Sequence, residues 1–190
     1  MISKQFQNWI KDIDSKWIDL SDKEHMGVID FSDDVNDFVI WKRLEWPIRW
    51  DAAKGECKKL GNGFGLMNWM DKEAMTIMAD ILWTERRDVQ HKYNDVNYYY
   101  IGAQLNRVRL ENGNFEVQPQ FINGNKLVDP DLVSSKAKSS NKWIQGSELG
   151  LRLELDGTGG IEPPNRLLER GILCTCHDRA LGCGSYVTSD

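Results

Sequence analysis

Trp46-Pro-Ile-Arg-Trp50-Asp-Ala-Ala53-Lys-Gly-Glu-Cys57-Lys-Lys-Leu60-Gly61 is the stretch whose reading decides the fold. Trp50, Ala53, Cys57 and Leu60 follow steps of three, four and three, which places all four on one face of an α-helix. Pro47 and Asp51 suit a helix start, and Gly61 suits a stop just past Leu60. The spacing therefore predicts a short helix over 48–60 with a tryptophan, a small residue and a cysteine on its inner side. The other cysteines, Cys174, Cys176 and Cys183, come more than a hundred residues later. An oxidised chain would tie this first helix to its last strand.

The remaining elements are read outward from that helix. Upstream, Phe38-Val-Ile-Trp41 reads as a strand entering the main domain, and residues 21–37 read as acidic linker and loop with a short strand at Val28–Phe31. Farther back, Phe6, Ile10, Ile13, Trp17 and Leu20 give residues 1–20 the pattern of an amphipathic helix with heptad spacing. It would lie against its own domain or serve as a neck through which copies of the chain associate.

Downstream, Gly61–Gly65 is a turn-rich connection and Leu66–Trp69 is extended. Asp71 caps a second helix over 72–83, with Ala74, Ile77, Met78 and Ile81 inward, and Thr84–Asn97 reads as a loop. Asn97–Leu105 is a strand with Tyr98, Tyr100 and Gly102 on one face and Tyr99, Ile101 and Ala103 on the other. Asn112-Gly113 and Asn123-Gly124 mark hairpin turns. Asp129–Lys142 has no periodicity and reads as irregular and mobile, closed by Trp143. Leu149–Leu155 alternates as a half-buried strand, Asp156–Gly160 is a turn, and Arg170–Cys176 is the closing strand with both of its cysteines on one face.

Composition narrows the function. The formal charge of −5, with no basic run to offset it, argues against nucleic acid as a partner. No apolar run is long enough to cross a membrane, and the first residues are too polar for a signal peptide. Four cysteines permit two disulfides, and their spacing does not suit a zinc site. His25, His91 and His177 are scattered in polar segments, and Cys176-His177 would point to opposite faces of a strand, so no catalytic dyad is assembled. Asp156-Gly-Thr-Gly-Gly160 opens no helix and carries no lysine, which argues against a phosphate cradle.

Taken in order, these features resemble the C-type lectin-like domain. Trp50-x-x-Ala53-x-x-x-Cys57 with Leu60-Gly61 resembles that family's first helix, and Glu73 with the apolar positions after it resembles the second. Tyr100-Ile-Gly-Ala103 resembles its Trp-Ile-Gly-Leu strand. Phe121-x-Asn123-Gly124 resembles the turn before its long loop, Trp143-x-x-Gly146 the end of that loop, and Arg170-Gly-Ile-Leu-Cys174 the final strand. The resemblance covers about residues 38–176. It implies an α+β fold, with two helices flanking small antiparallel sheets and a long loop region projecting from one end. The domain would span 38–183, with 184–190 a tail. The resemblance also implies a Cys57–Cys174 disulfide, leaving Cys176 for Cys183.

On that basis the expected function is that of a secreted or extracellular, non-catalytic recognition domain. It would bind a protein or glycan through the long loop, with Lys136, Lys138, Lys142, Trp143, Gln145 and Glu148 as candidate contacts. The family's calcium-dependent sugar triplets are missing. Trp143-Ile-Gln-Gly is followed by Ser147-Glu148-Leu149, and Ile161-Glu162-Pro163 stands where the second triplet belongs. No cofactor is therefore expected. The alternative is a divergent calcium-dependent lectin using Glu148, Glu162 and Asn165. Two further classes are a cysteine-dependent oxidase, which needs a free thiol, and a matrix assembly protein driven by residues 1–20.

Overall fold

The computed structural model describes residues 26–31, 38–88, 96–165 and 169–177. The expectations for residues 1–20, for Cys183 and for the tail 184–190 lie outside these residues. The described chain runs β1 (Met26–Asp30), β2 (Phe38–Arg43), α1 (Trp50–Lys58), β3 (Phe64–Leu66), α2 (Lys72–Asp88), β4 (Tyr98–Arg109) and β5 (Phe115–Phe121). A 3-10 turn (Pro130–Leu132) and the single helical turn α3 (Ser135–Lys138) lead into β6 (Glu148–Leu153), β7 (Gly159–Glu162) and β8 (Gly171–Cys176). The fold is α+β, with the order of elements that the C-type lectin-like resemblance implies.

The strands form one mixed sheet in the order β1-β2-β8-β4-β6-β7, with β3 added on β8 and β5 on β4. β4 lies at its centre. It pairs antiparallel with β5 and β6, and its first residues run parallel to β8 through Tyr99↔Gly171 and Tyr100↔Ile172. Because a strand alternates its side chains, β4 serves two cores at once. Tyr99, Ile101, Ala103 and Leu105 join α2 and the long loop in the larger one. Tyr98 and Tyr100 join α1, β3 and Cys174 in the smaller one.

The first helix forms where the spacing predicts, with Trp50, Ala53 and Cys57 buried. Trp50 Nε1 donates to the Ile101 carbonyl at 2.7 Å, so the helix start is bonded to β4. Cys57 and Cys174 form a disulfide that closes a sequence separation of 117, as the resemblance implies. Cys176 is also disulfide-bonded.

Two glycines mark where the backbone is most crowded. A methyl group at Gly171 would lie 2.3 Å from the Tyr98 carbonyl oxygen, and one at Gly150 would lie 2.4 Å from the Tyr98 ring. The phenol so enclosed donates to the Glu162 carbonyl at 2.8 Å. Burial, with nearby Glu169, pushes its ionisation far above the usual tyrosine range.

Several expectations need correction. The second helix runs to Asp88 rather than ending at 83. Asp71 Oδ1 caps the Ala74 N–H at 2.7 Å, and Thr84-Glu-Arg-Arg contains no breaker, so the first part of the expected loop is helical. Its fully inward face is Ala74, Met75, Met78, Ala79 and Leu82, with Ile77 and Ile81 half-buried beside it. The short strand expected at Val28–Phe31 is β1, which begins earlier, at Met26, ends at Asp30 and pairs along its whole length with β2. The Asp156–Gly160 turn gives way to a strand, β7, which includes Glu162.

The largest difference lies in Asp129–Lys142, which is folded rather than irregular. Asp129 caps the Asp131 N–H at 3.0 Å, Pro130 sets the first turn, and Leu132, Val133 and Ala137 anchor the segment in the core. Three apolar anchors in a polar stretch fall below what periodicity can register.

His177, just past β8, holds the root of the long loop. Its Nε2 lies 2.6 Å from the Leu66 carbonyl and must donate to it, which leaves Nδ1 to accept from the Asn123 amide at 3.0 Å. This is the neutral imidazole. Burial holds its proton affinity below the usual value of 6.5, although the bond to Leu66 opposes the shift.

Two outcomes follow from this architecture. Replacing Cys57 and Cys174 together by alanine is expected to lower unfolding free energy by roughly 4–5 kcal/mol in the chain-entropy account, read by urea denaturation with the other disulfide intact. The depressed folded affinity of His177 means the unfolded chain binds the proton more tightly, so stability is lost as pH falls through and below 6.5. Thermal melts from pH 7.5 to 5 should show a smaller acid-induced decline for His177→Gln than for the unaltered chain. Equal declines would exclude this contribution.

Candidate functional site

The long loop between β5 and β6 leaves through a tight turn. Asn123, Gly124 and Asn125 all have positive φ, which asparagine and glycine tolerate, and Phe121 N–H donates back to the Lys126 carbonyl at 2.8 Å. Lys126–Val128 then runs along the outer edge of β5, with Val128 N–H donating to the Pro119 carbonyl at 2.9 Å and Leu127 bridging Gln120. The Pro130 turn and α3 carry the chain across to β7, where Ser134 N–H donates to the Ile161 carbonyl at 3.1 Å. The loop returns beside β4 through Gly146 and Ser147, both bonded to the Leu105 backbone at 2.8 Å. The lobe is thus attached at both edges of the sheet.

Two clefts open along it and a third lies beside its return to β6. The most apolar is a groove of about 470 Å³ between the edge of β5 and the loop, walled by Val117, Pro119, Leu127, Pro130, Val133 and Trp143, with Lys138 at its rim. Trp143 is half-buried and packs on the larger core, so one part of its ring is structural and another faces the groove. A polar cleft of about 240 Å³ lies over Lys136, Ser140, Lys142, Glu162 and Asn165. There Lys142 Nζ donates to Asn165 Oδ1 at 2.9 Å, and Lys136 is paired with Glu154 at 3.0 Å. A third cleft, of about 490 Å³, contains Glu148 with Arg49, Asp51, Tyr100 and Asn165. Burial and the carboxylates of Glu169 and Glu148 raise the Tyr100 phenol to about 12.

The sequence candidates are therefore distributed over adjacent clefts. Lys138 and Trp143 meet at the groove, and Lys136 and Lys142 at the polar cleft. Glu148 lies at the start of β6 in the third cleft, and Gln145 is exposed in the turn before Gly146. Sequence reasoning missed the β5 wall. Its only sequence signal was the alternation of Phe115, Val117, Pro119 and Phe121 with polar residues.

It also missed a buried charge cluster beneath the polar clefts. Arg152 Nε donates to Glu162 Oε1, its Nη2 donates to Glu169 Oε1 at 2.9 Å, and its guanidinium lies 4.4 Å from the centre of the Tyr98 ring. Burial alone would weaken the arginine's charge. The two carboxylates outweigh burial and hold its proton affinity above the ordinary guanidinium value. Glu169 Oε1 also accepts the Asn165 N–H at 3.1 Å.

Calcium needs six to eight oxygens around it. Glu162 Oε1 is bonded to Arg152 and Asn165 Oδ1 to Lys142, Glu162 Oε2 is buried without a hydrogen-bond partner, and Glu148 lies in a neighbouring cleft that shares Asn165 with the cleft of Glu162. Among the described residues no group of three or more His, Cys, Asp or Glu side chains is placed to share a metal ion.

No family model matches the chain, and no curated protein sequence matches it. Among solved structures it is similar to ovocleidin-17, a major protein of the calcified layer of the Gallus gallus eggshell, at 14% identity and a TM-score of 0.45, covering 73% of this chain and 91% of that one. It is similar to CEL-IV at 13% identity and a TM-score of 0.47, covering 72% and 85%. It is also similar to the C-type lectin domain of murine dendritic cell inhibitory receptor 2, solved in complex with N-glycan, at 12% identity and a TM-score of 0.45, covering 72% and 88%. At these values the likeness says nothing about ligand or calcium, and the account of the site stands on this chain's own geometry.

Proposed function

We propose that this chain is a non-catalytic, extracellular recognition domain that binds a protein or glycan ligand through its long loop, without calcium. The observation that carries this reading is the Arg152 guanidinium bonded between Glu162 and Glu169 under that loop. The guanidinium occupies one oxygen of each carboxylate and offsets one of their two charges, which disfavours a divalent ion bridging them. The loop then offers a half-buried tryptophan beside an apolar groove, with Lys138 at its margin, which is the composition of a binding surface.

Two features support the non-catalytic and extracellular parts. Cys57, Cys174 and Cys176 are disulfide-bonded, and a bonded sulfur supplies no thiolate for oxidase chemistry. Disulfides persist in oxidising compartments. Among the described residues no helix is long and apolar enough to cross a membrane.

The test is a screen of immobilised glycans and extracellular proteins, run with calcium and again with chelator. Binding is expected to be the same in both, and Trp143→Ala or Lys138→Glu should weaken it about tenfold or more, a loss of ~1.4 kcal/mol. Calcium at millimolar concentration should leave the melting temperature unchanged. A calcium-dependent rise in melting temperature, with binding abolished by chelator and by Glu148→Gln, would establish the divergent calcium lectin instead.

A further inference from the structure

The apolar groove runs along a strand edge that the loop only partly covers. Phe121 and Pro119 direct their backbone groups away from β4, since Phe121 N–H reaches Lys126 and the Pro119 carbonyl receives Val128. Ile122 N–H, in the opposite phase, reaches Gly102 on β4. The same alternation turns the N–H and C=O of Val117 and Phe115 outward, and they bond no other backbone group among the described residues. Lys126–Val128 thus lies beside β5 through a single bridge, Leu127 against Gln120. It stops because Asp129-Pro130 turns away, and the next positions along the edge remain open. That the groove is lined by four consecutive β5 residues, Glu116 to Pro119, means it faces the edge rather than one side of the sheet.

Cations gather on one face of this edge, and the carboxylates beside it are Glu116 in the groove lining and the exposed Asp129 and Asp131 flanking Pro130. Arg107 is registered opposite Val117 and Arg109 opposite Phe115, so both arginines project from the same face as the two apolar residues. Arg107 lies 3.9 Å over the Phe115 ring, which is half exposed. Among the described residues neither arginine, nor Lys138 at the groove rim, pairs with a carboxylate. The Glu116 carboxylate projects from the opposite face, where it accepts from Gln118 Nε2 at 3.2 Å.

We infer that the β5 edge at Phe115–Val117 accepts an extended acidic peptide segment of a partner protein, which adds as a strand where Lys126–Val128 leaves off. Its backbone pairs with the outward groups of Val117 and Phe115. An apolar side chain enters the groove against Trp143 and Pro130, and a carboxylate meets Arg107, Arg109 or Lys138. A second copy of this chain is a poorer occupant, because pairing the two edges would bring these same cations together. The inference rests on the reading of the loop lobe as a recognition surface and names the class of ligand for one part of it.

The probe is a capped seven-residue peptide, Val-Thr-Val-Thr-Glu-Thr-Glu, whose valines and glutamates share one strand face, titrated into the full chain by fluorescence anisotropy. Binding that weakens with added salt is expected, together with no binding of the lysine–valine counterpart. Val117→Pro removes an outward N–H, as Pro119 already does two residues on, and keeps an apolar side chain in the groove wall, so affinity should fall about tenfold, whereas Val117→Ala, which trims the wall and keeps the N–H, should lower it by less. The pair Arg107→Gln and Arg109→Gln should lower affinity and flatten the salt dependence. Equal binding by Val117→Pro, binding of the lysine peptide, or no binding of the acidic peptide would each overturn strand addition. So would a dimer in sedimentation that Val117→Pro dissociates, because the edge would then belong to a second copy. A ligand from the screen that is lost with Trp143→Ala but kept with Val117→Pro overturns this inference and leaves the wider recognition reading intact. A screen in which neither variant matters overturns both.

Discussion

The Cys57–Cys174 bond is the constraint on which the rest of the molecule depends. It joins the inner face of the first helix to the last described strand, across 117 positions of sequence. β8, once held there, can pair with β2 on one side and with β3 and the start of β4 on the other. Every element between the two sulfurs must then leave from this seam and return to it. The longest excursion, from β5 to β6, is the loop lobe, and it begins and ends on residues of β4 and β5 that the seam has already fixed. Trp50 reinforces the arrangement from inside, since its indole bonds β4 from the same helical face as the sulfur, about two turns earlier.

How much of this was legible depended on how local the signal was. The helix carrying Trp50, Ala53 and Cys57 was readable because its spacing matches the helical period and its ends carry proline and glycine. The tyrosine strand was readable because alternation alone divides Tyr98 and Tyr100 from Tyr99 and Ile101, and the two cores divide them in the same way. The loop lobe was not readable in the same manner. Leu132, Val133 and Ala137 are anchored by contacts with distant residues, and three such positions among lysines and serines make no pattern. The site was the least legible part. Lys138 and Trp143 could be named, but their opposing wall comes from β5, and no spacing rule links residue 117 to residue 143.

The charge cluster at Arg152 illustrates the same limit from the energetic side. Glu162, Glu169 and Arg152 are ordinary charged residues in sequence, and nothing near them signals burial. Their burial becomes tolerable only because the guanidinium bonds both carboxylates and rests on the Tyr98 ring. A carboxylate that looks available for a metal ion in the sequence has, in the fold, one oxygen committed to an arginine. Proximity in the chain is therefore a poor guide to ligand sets on this scaffold, where β6, β7 and the segment before β8 converge from separate excursions.

The enclosure of Tyr98 also sets which positions can drift over evolutionary time. At residue 171 the obstacle is the Tyr98 carbonyl, a backbone atom present whatever side chain occupies 98, so glycine there is an unconditional requirement. At residue 150 the obstacle is the phenol ring itself, so glycine is required only while position 98 remains bulky. Divergent descendants of this chain should accordingly hold 171 invariant and exchange 98 and 150 in concert, a large residue at one accompanying a small residue at the other.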